Sequence, residues 1–273
     1  MSNSNSGGPR RILIIGNGAA GISAAKAARA QDPEAEIIMF GRDNRLPYYR
    51  LRLCDYIGRN VDYDELKVSN EDWFEKNRIR LELSSEVTAL DVQSGKICAD
   101  GKEYSYDSLV LATGSTPAMP PFKGKELAGI HTIWTVEDID EINRSLNNAK
   151  EVVVIGGGLL GLEAAYKISD LGIDVSLIES MPRLLPKQLD EEGSEVFTCK
   201  VQSLGISVFC GKSVAGFDRD NSGHVTHVRM ADDTLLEADA VIVSVGVTPN
   251  VAVFRDSGIS MNRLWLNACT NQR

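Results

Sequence analysis

Cysteine and histidine are scarce in this chain of 273 residues: there are five of the first and three of the second. Cys54, Cys98, Cys199, Cys210 and Cys269 lie far apart, and no C-x-x-C or C-x-x-x-x-C pair occurs. That odd, dispersed set argues against a disulfide framework or a thiolate metal site and suits a reducing, cytoplasmic compartment. His131, His224 and His227 do not cluster with cysteine. A metal site needs three or four converging ligands, so these are read as strand or surface histidines and no metal is expected. Excess positive charge is also missing. Lys plus Arg number 29 against 38 Asp plus Glu, a net charge of −9. That balance speaks against nucleic-acid binding, which needs a basic footprint, but not against a nucleotide held by backbone N–H groups. No apolar run reaches the ~18 residues of a membrane span. The opening "MSNSNSGGPRR" has no apolar core of a secretory signal, and residues 1–10 read as a flexible tail.

What is present is glycine in a repeated context. "ILIIGNGAAGISAAKAA" runs from Ile12 to Ala28, and "VVVIGGGLLGLEAAYKI" from Val152 to Ile168. Each is an apolar strand, a G-x-G-x-x-G turn and an Ala-rich helical stretch, and only with strand before and helix after does that motif carry weight. Arg11–Ile15 and Ile37–Phe40 read as buried parallel strands around a helix over Ala19–Ala30, and a second βαβ unit fills Glu151–Ser180. Helices are predicted at Asn70–Ile79, with Asn70 or Ser69 as cap, at Thr135–Ala149, and as an amphipathic stretch in "QLDEEGSEVFTCKVQSLGI". "DSLVLATGSTP" (from Asp107) and "DAVIVSVGVTPN" (from Asp239) both read as a buried strand, a glycine and then Thr-Pro. The whole arrangement therefore occurs twice, at a spacing of roughly 135–140 residues.

The chemistry of the trio is specific. In the second copy Gly156 permits the tight turn, Gly158 lets a pyrophosphate approach the backbone, and Gly161 lets helix pack on strand. The helix N-terminus, with Leu159 and Leu160 in its first turn, offers free N–H groups to phosphate. Glu179 stands at the end of the next strand, 18 residues beyond Gly161. A carboxylate there can accept both ribose hydroxyls and would repel a 2′-phosphate, which favours NADH over NADPH. Arg183, close by in sequence, leaves some NADPH use open. The first copy has Gly16, Gly18, Ala19, Ala20 and Gly21 in the matching places. Its strand-end position falls near Gly41, so the expected carboxylate is missing or displaced to Asp43.

These motifs, with "LPYYRLRL", "MPRLLPKQLD" and "SVGVTPN", resemble the two-dinucleotide-binding flavoprotein reductases, closest to NADH:rubredoxin reductases and the flavoprotein part of nitrite reductase large subunits. The resemblance runs from Arg11 to about Gly258. It implies an α/β fold of two Rossmann-like domains, with an NAD(P)H-binding domain (118–246) inserted into an FAD-binding domain (11–117 and 247–273). It implies that Gly16, Gly18 and Gly21 lie under the FAD pyrophosphate. Arg50 would sit beside the flavin, Val87 would meet the adenine through its backbone, and Thr113 and Gly114 would close over the FAD. Glu163 would lie near nicotinamide and flavin as a positioning, catalytic carboxylate, and Gly246 would border the NADH site. The implied chemistry is hydride transfer from nicotinamide C4 to flavin N5, with electrons passed on to a small iron protein such as rubredoxin or ferredoxin. Cys54 in "LRLCDY" does not match the redox cysteine of peroxidase and oxidase relatives and is expected to be an ordinary packed or partly exposed thiol.

Relatives continue past this point with a Gly-Asp segment that binds the FAD ribityl and phosphate, and the tail "SGISMNRLWLNACTNQR" contains none. The chain is accordingly expected to be a fragment or a natural short form with weakened FAD affinity. Oligomeric state stays open, with a homodimer among the outcomes. Two further readings stand beside the reductase: a flavin-poor NADH-binding module that needs a partner chain, and the electron-input part of a nitrite reductase.

Overall fold

The two apolar runs that precede the glycine trios become the inner strands of two separate parallel sheets. The structure is a computed structural model and describes residues 8–255 and 257–259. The expectations placed on residues 1–7 and on the tail from 260 onward, Cys269 included, lie outside the described residues. Contacts divide the chain into two units, one of 1–49, 64–116 and 249–273, the other of 50–63 and 117–248.

In the first unit the chain runs β1 (Arg11–Ile15), α1 (Ala19–Gln31), β2 (Glu36–Phe40), a short α2 (Tyr63–Leu66), α3 (Glu71–Lys76), β3 (Ile79–Glu82), then β4 (Val87–Asp91), β5 (Lys96–Ala99), β6 (Lys102–Ser105) and β7 (Ser108–Leu111). The order β3-β2-β1-β7 is parallel throughout, with Ile15 opposite Phe40 and Leu111. Period-two alternation sorts the side chains of β1. Leu13 and Ile15 join Ile38 and Phe40 in a core with Val87, Leu90, Ile97 and Ala99 of the antiparallel β4-β5-β6 sheet. Ile14 points the other way, towards Gly21 of α1. Arg29, near the end of α1, donates to the carbonyls of Asp32, Pro33, Ala35, Asn77 and Arg78, and so ties the helix end to the entries of β2 and β3.

The chain leaves this unit at β8 (Ser115–Pro117) and returns at β17 (Val247–Pro249). Between them lie β9 (Ile130–His131), α4 (Val136–Leu146), β10 (Glu151–Ile155), α5 (Leu159–Ser169), β11 (Asp174–Glu179), α6 (Glu191–Ser203), β12 (Ser207–Cys210), β13 (Val214–Arg219), β14 (Val225–Met230), β15 (Leu235–Glu237) and β16 (Ala240–Val243). The parallel order is β12-β11-β10-β16-β9, and the antiparallel β13-β14-β15 sheet packs on one face through Phe217, Val225, Val228 and Met230. Among the described residues the plan of the first unit is thus repeated with one added edge strand, β9. That strand makes a difference the sequence alone does not predict. "SLVL" of β7 ends its sheet and is only half-buried, whereas "AVIV" of β16, flanked by β10 and β9, is buried throughout. The amphipathic expectation for α6 is met weakly: it buries Ser194 and Val201 and leaves Val196 71% exposed.

Candidate functional site: two glycine cradles

The glycine turns share the backbone hydrogen bonds of their first and middle glycines. Gly16 N–H donates to Phe40 O and Gly156 N–H to Ile178 O, each at 2.8 Å. Both first glycines are left-handed, φ 109° and 112°, and a Cβ at either would lie 2.0 Å from Ala112 O or 2.2 Å from Ser244 O. A Cβ on Gly21 or Gly161 would lie 2.0 Å from Gly16 O or Gly156 O. The fold itself therefore requires the first and third glycines. The middle glycines are different. Gly18 (φ −76°) and Gly158 (φ −81°) have backbone conformations open to any residue, and a Cβ on either would meet nothing within 4 Å. Nothing among the described residues accounts for the absence of a side chain there, and the space beside each of these glycines is open.

The helices that follow are left open in the same way. α1 and α5 have no side-chain cap and no acidic residue in the first turn. α3, α4 and α6 are capped by Asn70, Thr135 and Asp190 and carry acidic residues there. An uncapped, acid-free N-terminus keeps its N–H groups and positive dipole end for an anion. Ala19, Ala20 and Leu159 in these first turns are exposed, and Leu160 is half-buried. The cradles thus fit a phosphate-bearing ligand.

The strand ends differ between the units. In the second, Glu179 is 9% exposed and both its oxygens are engaged. Oε2 accepts from Gly157 N–H at 2.7 Å, and Oε1 from Met181 N–H at 2.7 Å and Ser180 Oγ at 3.3 Å. The segment beyond folds back on the same loop: Leu185, left-handed at φ 48°, donates its N–H to Gly157 O, and Arg183 Nε is buried without a hydrogen-bond partner. In the first, Gly41 occupies the strand-end position and Asn17 replaces Gly157. The Asn17 side chain covers Gly41 and donates from Nδ2 to Arg45 O at 3.2 Å. Asp43 follows, half-buried, with its carbonyl accepting from Ser84 N–H.

The remaining candidates fall into local groups. Thr113 Oγ1 donates to Asn250 O at 2.8 Å, Asn250 Nδ2 to Thr113 O at 3.0 Å, and Asn250 N–H to Gly114 O at 3.0 Å. Sequence reasoning does not single out Asn250. Its clasp on a residue 137 positions away is visible only once the chain returns to the first unit. Val87 is buried at the start of β4, an edge strand of its sheet. Gly114 and Gly246 are exposed, left-handed and unobstructed. Arg50 groups with the second unit, where its guanidinium donates to Trp134 O at 2.7 Å and lies 5.6 Å from the Trp134 ring. Glu163 on α5 is half-buried, and burial, then Asp55, hold its carboxyl above the usual range while Lys167 opposes. Cys54 is fully buried. Burial, then the Glu163 and Asp55 carboxylates, push its thiol up to about 12, as a packed and inert cysteine requires. No group of His, Cys, Asp and Glu suited to a metal occurs among the described residues.

Two Rossmann-type units in one chain, each with an open glycine cradle, define a duplicated dinucleotide-binding α/β protein. Residues 10–266 match the pyridine nucleotide-disulphide oxidoreductase family, and the chain belongs to it. It is 33% identical over 262 residues to a nitrite reductase [NAD(P)H] of Bacillus subtilis, covering 94% of this chain and 32% of that protein. It is 35% identical over 252 residues to a probable ferredoxin reductase of Castellaniella defragrans, covering 91% and 61%. Among solved structures, a covalent putidaredoxin reductase–putidaredoxin complex matches with a TM-score of 0.89 at 28% identity, over 94% of this chain and 63% of that one. The chain thus spans from a third to under two thirds of the length of these relatives.

Proposed function

We propose that this chain is an FAD-dependent NADH:acceptor oxidoreductase, or the larger part of one, that passes electrons to a small redox protein such as a rubredoxin or ferredoxin. The first unit takes the FAD and the second the NADH. The observation that carries this is the pair of middle glycines, Gly18 and Gly158, which no packing or backbone requirement explains. Bound flavin would supply the acceptor for a hydride from nicotinamide and the means to release electrons singly. The chain's own residues bind and orient. The N-termini of α1 and α5 take the two pyrophosphates. Thr113, Gly114 and Val87 form the rest of the first site, with Arg50 assigned to the flavin side. Glu179 presents a negative charge where a 2′-phosphate would fall, which selects NADH. Glu163 lies one helical turn past the second cradle, and its raised pKa suits a carboxyl that hydrogen-bonds a neutral carboxamide. The names of the matched ferredoxin reductase and of the putidaredoxin complex support a small electron carrier as partner. No helix among the described residues is long and apolar enough to cross a membrane.

The visible spectrum of the purified chain, with and without added FAD and then under NADH titration, tests this reading. A flavin spectrum that bleaches with NADH is expected. Colourless protein that takes up no FAD yet binds NADH would replace the reductase with the flavin-poor module.

A further inference from the structure

The two cradles solve one local problem with opposite residues. In the second, Gly157 leaves a gap beside the loop that Leu184 and Glu179 fill together, Leu184 Cδ2 2.5 Å and Glu179 Oε2 3.1 Å from where a Gly157 Cβ would be, and Glu179, reaching across from the strand end, is the polar member. In the first, Gly41 leaves the gap and Asn17 reaches across from the loop, its Cγ and Nδ2 each 2.6 Å and its Oδ1 3.0 Å from where a Gly41 Cβ would be. The polar group in the gap has changed its point of attachment, and a carboxylate has become a carboxamide. We infer that Asn17 is the positioning residue for the adenosine half of the dinucleotide in the first unit, in the place that a strand-end carboxylate holds in the second.

The hydrogen bonding fixes what Asn17 can offer. Its Nδ2 faces a carbonyl, Arg45 O, so the amide orientation is set by that acceptor. Among the described residues no donor reaches Oδ1, which leaves an acceptor for a ribose hydroxyl in a half-buried crevice. The amide is neutral. Asn17 therefore offers one neutral acceptor oxygen against the two of a carboxylate, and negative charge at this strand end is left to Asp43, two residues beyond Gly41.

This inference rests on the assignment of FAD to the first unit, so FAD and FMN are compared, since FMN lacks the adenosine half. The full chain is titrated with each by quenching of flavin fluorescence, for wild type, Asn17→Ala, Gly41→Glu, and Asn17→Gly combined with Gly41→Glu. Asn17→Ala should weaken FAD about tenfold and leave FMN unchanged, a loss of the size of one hydrogen bond to a ribose. Gly41→Glu alone collides with Asn17 and should weaken FAD at least as much. The double exchange rebuilds the Gly157/Glu179 arrangement and should bring FAD affinity back to within a few-fold of wild type. Equal losses for FAD and FMN in Asn17→Ala would make Asn17 a loop clamp alone and overturn the inference, as would wild-type FAD affinity in that variant. If Asn17→Ala fails to fold, the double exchange decides: FAD affinity no better than in Gly41→Glu overturns the inference. Wild-type protein that binds no FAD removes the assignment of the first unit, and the inference with it.

Discussion

Glu179 joins a structural role to the ribose-binding role proposed for it. The sequence places it at a strand end, where it reads as a ribose-binding carboxylate. The structure adds that its oxygens already accept from the backbone N–H groups of Gly157 and Met181. That second role was not legible, because it depends on the pairing of β10 with β11, which sets the strand end beside Gly157, and on the turn that returns Met181 N–H to the carboxylate. Removing the carboxylate leaves two donors in a largely buried place. Hydrogen bonds to a charged acceptor contribute about 1.5–3 kcal/mol each, so losing these two through Glu179→Ala should cost about 3–6 kcal/mol in urea unfolding as well as weaken NADH. A variant as stable as wild type would mean that these two bonds hold nothing. The same residue-level view explains why Asn17 and Gly41 read only as a defect in the sequence. A missing carboxylate is visible in one strand, but its replacement comes from a loop residue about 24 positions earlier, and only the parallel pairing of β1 with β2 brings the two together.

At the level of elements, the regular pieces were largely legible. β1, α1, β2, β10, α5 and β11 fall where glycine spacing and apolar runs put them, and Asn70 and Thr135 cap α3 and α4 as polar residues at helix starts should. The stretch Arg50–Tyr56 was not. Its 3₁₀ turns have no period to read, and what fixes it is tertiary: Asn143 of α4 accepts from Gly58 N–H and donates to the carbonyls of Tyr56 and Arg59. This segment brings Cys54 and Asp55 to α5, where Lys167 Nζ lies 3.5 Å from Asp55 and Glu163 adds negative charge. The packing has a pH signature. The thiol's ordinary pKa of 9.0, which the unfolded chain keeps, is pushed up to about 12 by burial in the folded one. Above about pH 9 the unfolded chain releases a proton that the folded chain keeps, so stability falls as pH rises from 9 towards 12. Cys54→Ala, though less stable at pH 7 from the lost packing, should show a shallower fall between pH 9 and 11. Parallel pH profiles for the two proteins would show that Cys54 is not the group responsible.

At the scale of the molecule, duplication was the most legible feature and the one with the most consequence. A strand, a glycine trio, a helix, an antiparallel sheet and a Thr-Pro exit recur in the same order, and each of the two units builds its own core from them. The differences between the copies support the proposed division of labour: a strand-end carboxylate in one, a loop carboxamide in the other and, among the described residues, an extra edge strand in the second. None of these alters the shared cradle, in which the first and third glycines are fixed by the fold and the middle glycine faces open space, which the proposed function gives to the ligand. The most direct test is therefore to place one methyl group in each cradle separately. Gly18→Ala and Gly158→Ala should each change stability by less than about 1 kcal/mol, since both backbones suit alanine and no atom stands in the way. Titrated with FAD and with NADH, Gly18→Ala should lose at least tenfold in FAD affinity with NADH unchanged, and Gly158→Ala should do the reverse. Affinities that stay at wild-type values in both variants, or that fall for both ligands in either one, would contradict the assignment of one dinucleotide to each unit.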